Sequence, residues 1–342
     1  MSHSILRIGI IGAGDNTRKK HFPGLRALPN VDVVAVCNRR PQSTEQVARD
    51  FGIPRTFTRW QNLVTDPLID AVVIGTWPYL HCPITLAALQ AGKHVLCEAR
   101  MAMNAAEARE MLAESRKHPE LVAQIVPSPF GLKGDVTMRR LIGEGFLGEL
   151  REMQVVAMNG ALADATTPLS WRQDAALSGV NMLLLGIVHE TVIRWVPSPV
   201  KILAQAHAFT SERVDPESGI RRKVGTPDSV QIVTVLPNGA RGTYHFSGAV
   251  PVGGSSSIAL YGTEGALRYD LIGDRILGQR RGESGFQEIA IPEQEAGGWR
   301  VEADFVESIR DKKPVRFTDF ETGVRYMEFT EAVARSAEHN AS

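Results

Sequence analysis

Two groups of residues have the types and spacing for chemistry. The first is the run Ile8-Gly9-Ile10-Ile11-Gly12-Ala13-Gly14-Asp15-Asn16-Thr17, an apolar stretch ending in closely spaced glycines. Glycine permits the backbone angles of such a turn and lets backbone N–H groups approach an anion, so the run suits a phosphate. Gly12 and Gly14 fill the first two places of a dinucleotide fingerprint, Thr17 stands in the third, and Asp15 and Asn16 share the turn. The second group centres on His189, in an apolar stretch that starts near Asn181. Imidazole is the side chain whose ordinary pKa suits proton exchange near neutrality. Each feature has a bland reading as well, a glycine turn after any buried strand and a histidine packed in a core, so the neighbouring elements must decide.

Those elements alternate. Apolar runs at 31–36, 69–74, 94–97 and 121–126 read as strands, separated by helices opened by Ser43 with Gln46, at 83–91, and by Asn104 with Glu107. Strand and helix in this order imply right-handed crossovers and a parallel sheet with helices on both faces. Ligands of such sheets bind outside the C-terminal strand ends, where the glycine turn, Asn38-Arg39-Arg40, Thr76 to His81 and Glu98 to Met101 gather. The residue closing the second strand, roughly 20 residues beyond the glycines, meets the adenosine ribose, and an acid there repels a 2′-phosphate. No acid is present. Asn38, Arg39 and Arg40 supply a polar amide and positive charge, which favours NADP over NAD. Thr76, Trp77, His81 and Glu98 complete the expected cofactor contacts, and Tyr79 and Arg100 are expected to meet a substrate.

The 342 residues suffice for two domains at roughly 150 residues each. Lysine plus arginine equals aspartate plus glutamate, at 38 each, so no net charge attracts nucleic acid or an anionic membrane. Three cysteines, Cys37, Cys82 and Cys97, lie in or beside apolar stretches and fit a reduced compartment. No metal-ligand spacing occurs, Met1-Ser2-His3-Ser4 does not open a secretory signal, and no apolar run approaches the length of a membrane span. A cytoplasmic protein without metal, membrane or nucleic-acid partners is expected.

The order of motifs resembles the glucose-fructose oxidoreductase, inositol dehydrogenase and rhizopine-catabolism family, Gfo/Idh/MocA. The pieces that carry the resemblance are Gly9 to Gly14, His21-Phe22-Pro23-Gly24-Leu25, Ala91-Gly92-Lys93-His94-Val95-Leu96-Cys97-Glu98, Trp171-Arg172-Gln173-Asp174 and the helix with His189. The resemblance implies an N-terminal Rossmann domain, a doubly wound parallel sheet, over residues 1–127. It further implies a C-terminal α+β domain over 128–342 with a large, open, mostly antiparallel sheet that often mediates oligomerisation. A sugar or polyol would be oxidised or reduced. Two departures stand out. Where members carry Glu-Lys-Pro this chain has Glu98-Ala99-Arg100, and where they carry an aspartate four residues before the histidine it has Leu185. Alanine exchanges no proton and arginine stays protonated, so His189 is left as the proton carrier.

In the second half, helices are expected at 134–144 and from 181 to about 195. At about 100° per residue, Asn181 and His189 would lie about 80° apart on one side, with Glu190 pointing away. Asn181 and Arg172 are expected to bind substrate oxygens, Asn181 having a helix cap and Arg172 an ion pair with Asp174 as alternatives. Alternating strands at 201–209, 229–236, 242–246, 256–261 and 266–271 imply an antiparallel meander, and helices follow at 301–311 and 322–338, the last packing back on the first domain. With one sheet face covered by helices, the other is expected to pair in a homodimer or homotetramer. An NADP- or NAD-dependent oxidoreductase is the leading expectation. The alternatives are a redox-neutral lyase or hydrolase with bound nicotinamide, and a non-catalytic nucleotide sensor.

Overall fold

A computed structural model of the chain describes residues 4–339, so Met1-Ser2-His3 of the opening segment lie outside the described residues. The chain divides into two compact units. One runs to Pro127 and takes in Arg300–Met327; the other comprises Ser128–Trp299 and resumes at Glu328.

The first unit alternates β1 (Leu6–Ile11), α1 (Phe22–Arg26), β2 (Val31–Cys37), α2 (Pro41–Asp50), β3 (Arg55–Phe57), α3 (Trp60–Val64), β4 (Ala71–Ile74), α4 (His81–Gln90), β5 (His94–Cys97), α5 (Ala105–Lys117) and β6 (Ala123–Ile125). Its six strands are all parallel, in the order β3-β2-β1-β4-β5-β6. Ala71-Val72-Val73-Ile74 is buried throughout, as a strand covered on both faces must be. The order reverses beside β1, whose neighbours are β2 and β4, and this is the switch point at which such sheets open a crevice. β3 was not expected from the sequence, because Arg55-Thr56-Phe57 contains no apolar run. Nor does α2 open on a capping box at Ser43. It opens two residues earlier, because Pro41 at the first helical position has its φ preset for a helix.

The second unit contains α6 (Asp135–Gly143), β7 (Leu150–Met158), α7 (Ala175–Ser178), α8 (Leu185–Trp195), β8 (Lys201–His207), β9 (Glu212–Val214), β10 (Arg221–Lys223), β11 (Ser229–Val235), β12 (Arg241–Ser247), β13 (Ser256–Gly262), β14 (Gly265–Asp270), β15 (Arg275–Arg280) and β16 (Gln287–Ile289). Eight strands form one sheet in the order β16-β15-β14-β13-β7-β12-β11-β8, while β9 and β10 form a separate hairpin. The sheet is not a simple meander. β7 splits it, pairing parallel with β12 and antiparallel with β13. Inward residues of the strands, among them Met153, Val155, Ile232, Tyr244 and Leu260, share one core with Leu185, Val188 and Val192 of α8 and Met138 and Leu141 of α6.

The expected helix from 181 is shorter, starting at Leu185. Gly179 with φ +66° and Leu183 with φ +46° break the chain between α7 and α8, so Asn181 lies in a turn and shares no helical face with His189. Two further helices follow, α9 (Val301–Asp311) and α10 (Phe320–His339). Residues 300–327, which the sequence reading placed in the second domain, belong to the first unit. There Ile125 and Thr318 exchange backbone hydrogen bonds of 2.9 and 3.1 Å, which extends the sheet past β6 and covers its edge.

Candidate active site

The glycine turn follows β1 at the switch point. Gly12 has φ +86°, and a Cβ there would stand 2.6 Å from the Thr76 nitrogen, so only glycine fits. A Cβ on Gly14 would meet nothing nearer than 3.9 Å, which leaves its side of the turn open. Thr17 is buried in the third glycine place, its hydroxyl donating to the Gly12 carbonyl at 3.1 Å. It fits because the residue opposite is Gly75, whose missing Cβ would otherwise come within 2.4 Å of that hydroxyl. Beyond the turn the chain winds through a π-helical turn, Thr17–His21, into α1, and the first helical bond runs from Arg18 N to Gly14 O at 3.0 Å. Asp15 is exposed and paired with Lys19 at 2.9 Å.

At the end of β2 the Asn38 amide is committed to the fold. Its Oδ1 accepts from Ala13 N at 2.7 Å and its Nδ2 donates to Ser43 Oγ at 2.9 Å, tying the glycine turn to α2. Arg39 and Arg40 are exposed, and the Arg39 guanidinium lies 5.4 Å from the centroid of the Trp77 ring. After β4, Thr76 Oγ1 is buried without a hydrogen-bond partner among the described residues. Tyr79 is half-buried on the next turn. His81 is fully buried, its ring nitrogens 2.8 Å from the Arg100 carbonyl and 2.9 Å from the Thr76 carbonyl. Burial pushes its pKa down against the pull of those carbonyls. It therefore braces two loops, where the sequence reading gave it a cofactor contact. Arg100 is buried as well. The open side of Gly14 and the unanswered Thr76 hydroxyl fit a dinucleotide laid across the glycine turn.

Glu98, at the end of β5, accepts from Asn16 Nδ2 and lies 3.0 Å from His21 Nε2. The other ring nitrogen, His21 Nδ1, is 2.5 Å from Oε1 of Glu302 in the first turn of α9. Gly24 makes room for that carboxylate, since a Cβ there would come within 2.6 Å of it. His21 closes the basic run Arg18-Lys19-Lys20 and yet is fully buried. Burial alone would lower the His21 pKa, but hydrogen bonds and charge from Glu302 and Glu98 outweigh it and raise it to about 9. Hydrogen bonds and charge from His21, with a hydrogen bond from Asn16, outweigh an opposing desolvation and hold the Glu98 carboxyl below its usual range. A raised histidine pKa stabilises the fold fully below pH 6.5, and that contribution is lost as the pH climbs through about 9.

In the second unit His189 is fully buried, its ring stacked on Phe329 at 3.5 Å between centroids. Its Nδ1 is 3.1 Å from the Tyr244 hydroxyl. Burial raises the Tyr244 pKa far above that of a free phenol, so the hydroxyl keeps its proton. Glu190 points elsewhere, to Ser128 N at 2.9 Å and Arg194 at 2.5 Å. Asn181 is buried and donates to Ser178 O at 2.6 Å, a capping contact. Arg172 is exposed with its guanidinium 4.4 Å from the Trp171 centroid, and Asp174 pairs with Arg222 at 2.8 Å. The sequence signals for Tyr244 and Glu302 were only those of an inward strand residue and a first-turn acid.

No cluster of metal-ligating residues occurs among the described residues, and no helix among them is long and apolar enough to cross a membrane. The three cysteines are buried thiols, pushed up by burial to about 11 for Cys37 and about 12 for Cys82, and well above the usual thiol range for Cys97, so none suits a nucleophile.

A parallel sheet with a glycine turn at its switch point, followed by an α+β unit with a buried histidine, defines a nicotinamide-nucleotide-dependent oxidoreductase. Residues 6–125 match the model of the oxidoreductase family with an NAD-binding Rossmann fold, and residues 136–268 match the Gfo/Idh/MocA C-terminal domain. The chain is 30% identical over 265 residues to the trans-1,2-dihydrobenzene-1,2-diol dehydrogenase of Sus scrofa, covering 76% of this chain and 72% of the relative. It is 26% identical over 292 residues to the levoglucosan dehydrogenase of Pseudarthrobacter phenanthrenivorans, covering 78% and 73%. The same fold recurs in an oxidoreductase domain protein from Kribbella flavida, with a TM-score of 0.88 at 22% identity over 99% of this chain and 98% of the other. A levoglucosan dehydrogenase in complex with NADH and L-sorbose superposes with a TM-score of 0.86 at 23% identity, over 98% and 97%. The chain belongs to the Gfo/Idh/MocA oxidoreductase family.

Proposed function

We propose that the chain oxidises or reduces a cyclic polyol, a sugar or a related alcohol or ketone, with NADP preferred over NAD. The observation that carries this reading is the pairing of an open glycine turn with an ionised Glu98 and Asn16 along one edge of the parallel sheet. The names of the relatives, a dihydrodiol dehydrogenase and a levoglucosan dehydrogenase, support a vicinal diol or an anhydrosugar as the substrate class. Gly12, Gly14, Asp15 and Asn16 would border the pyrophosphate, Arg39 and Arg40 the 2′-phosphate, and Thr76, Trp77 and Glu98 the nicotinamide half. When bound, the nicotinamide supplies or accepts the hydride. His189 exchanges the substrate proton, in the absence of the lysine and aspartate that Ala99 and Leu185 replace. Arg172, Tyr79 and Arg100 would orient substrate oxygens, and the protein works in the cytoplasm as a homodimer or homotetramer.

The test is the absorbance change at the nicotinamide wavelength with NADP(H) and NAD(H) across a panel of cyclic diols, anhydrosugars, sugars and polyols. Turnover of a diol or anhydrosugar with NADP is expected. Purified protein that binds nucleotide but turns over none of the panel sinks the reading.

A further inference from the structure

The cluster of His21, Glu98 and Glu302 has more structure than cofactor contact requires. Glu302 is buried, and His21 is buried between two carboxylates that reach it from different elements, Glu98 from the end of β5 and Glu302 from α9. An ionised carboxylate only accepts hydrogen bonds, so a ring flanked by two of them uses both N–H groups and carries the charge. Glu98 retains some exposure, 15% of its side chain, and the same oxygen that faces His21 also accepts from Asn16 of the glycine turn. Its position past β5 puts it on the β4–β5–β6 half of the sheet, which in doubly wound folds lies under the nicotinamide half of a dinucleotide; the adenosine half belongs with Arg39 and Arg40 beyond β2. Gly24 is the other half of the device, because any side chain there would displace the Glu302 carboxylate from the ring.

We propose that Glu302 and His21 are positioning residues for the cofactor: Glu302 holds His21, and His21 with Asn16 fixes the Glu98 carboxylate as an acceptor for a hydroxyl or amide donor of the nicotinamide half. This rests on the proposed use of a nicotinamide nucleotide. Glu98 and Glu302 face the His21 ring, Asn16 shares the Glu98 oxygen, and buried His81 also acts on Glu98. A neutral ring donates from one nitrogen only. Once His21 loses its proton the ring donates to only one of the two carboxylates, and whenever that proton lies toward Glu302 the Glu98 carboxylate keeps Asn16 but loses His21 as a donor.

The experiment compares two ligands on the full-length protein by calorimetric titration between pH 6.5 and 10: NADPH, and 2′,5′-ADP, which presents only the adenosine half. For wild type, NADPH affinity is expected to fall as the pH passes about 9, while 2′,5′-ADP affinity shows no matching break. Glu302→Gln is expected to move the break to lower pH and to weaken NADPH about tenfold at pH 8 with 2′,5′-ADP unchanged. Glu98→Gln is expected to abolish the break. A merely structural cluster would lower the melting temperature and weaken both ligands together. Should Glu302→Gln not fold, the wild-type profile and Glu98→Gln still decide. Equal losses for the two ligands, or none for either, overturn the positioning role and leave the proposed function standing. Wild-type protein that binds neither NADPH nor NADH overturns both.

Discussion

His189 is held on two sides, by the Tyr244 hydroxyl at Nδ1 and by the Phe329 ring against its face. Together the two contacts fix the orientation of the imidazole ring. Tyr244→Phe keeps the ring and removes the hydroxyl. It is expected to lower kcat about tenfold while leaving nucleotide affinity unchanged, whereas His189→Ala is expected to cost about a hundredfold or more. Stopped-flow turnover alongside thermal melting separates the readings: if His189→Ala keeps its kcat and loses only stability, His189 is a core residue. The histidine was visible in the sequence because a titratable side chain on an apolar helix stands out. Tyr244 was not, because on an alternating strand it reads as one more inward aromatic, and its bond to His189 spans 55 residues. Glu302 escaped for the same reason, since nothing local links the first turn of α9 to a residue 281 positions earlier.

At the level of elements, the proposed preference for NADP is argued from the junction of β2 and α2. Its position was legible, because the strand end and the missing acid are local features. The engagement of the Asn38 amide was not, because its partners Ala13 and Ser43 come from the glycine turn and from α2. Asn38→Asp keeps an oxygen to accept from Ala13 N, loses the donor to Ser43, and adds a negative charge beside Arg39. Repulsion of a 2′-phosphate then opposes the attraction of Arg39 and Arg40. The expected outcome is NADPH weakened about tenfold, with NADH changed by less than about threefold, read by fluorescence titration. Unchanged discrimination would remove the β2 end from the specificity argument. The 181–184 turn shows the converse limit. Its apolar residues continue the helical pattern of α8, and only the positive φ values at Gly179 and Leu183 reveal that the chain bends there.

Across the whole molecule, the alternation of strand and helix made the parallel sheet readable, while the pairing of β7 with β12 was hidden, because strands far apart in sequence carry no local mark of their partner. The strands also carry an unspent pattern. Their inward residues fill the core, yet the outward positions are not uniformly polar: Leu203, Val233 and Tyr261 are exposed large apolar residues, on a face they share with Gln154, Gln205, Gln231 and His245. A solvated sheet face favours polar residues at such positions, and a mixed apolar and amide face suits burial against its own copy, where a two-fold axis lets each strand meet its equivalent. A homodimer through this face, or a tetramer that includes it, is therefore expected by light scattering coupled to size exclusion. The double substitution Leu203→Glu with Val233→Glu sets like charges on adjacent strands, β8 and β11, and doubles them across the axis. It is expected to give monomers that keep the wild-type melting profile of the first unit. A variant that remains dimeric would place the interface elsewhere on the molecule, and a monomeric wild type would leave the open face to solvent.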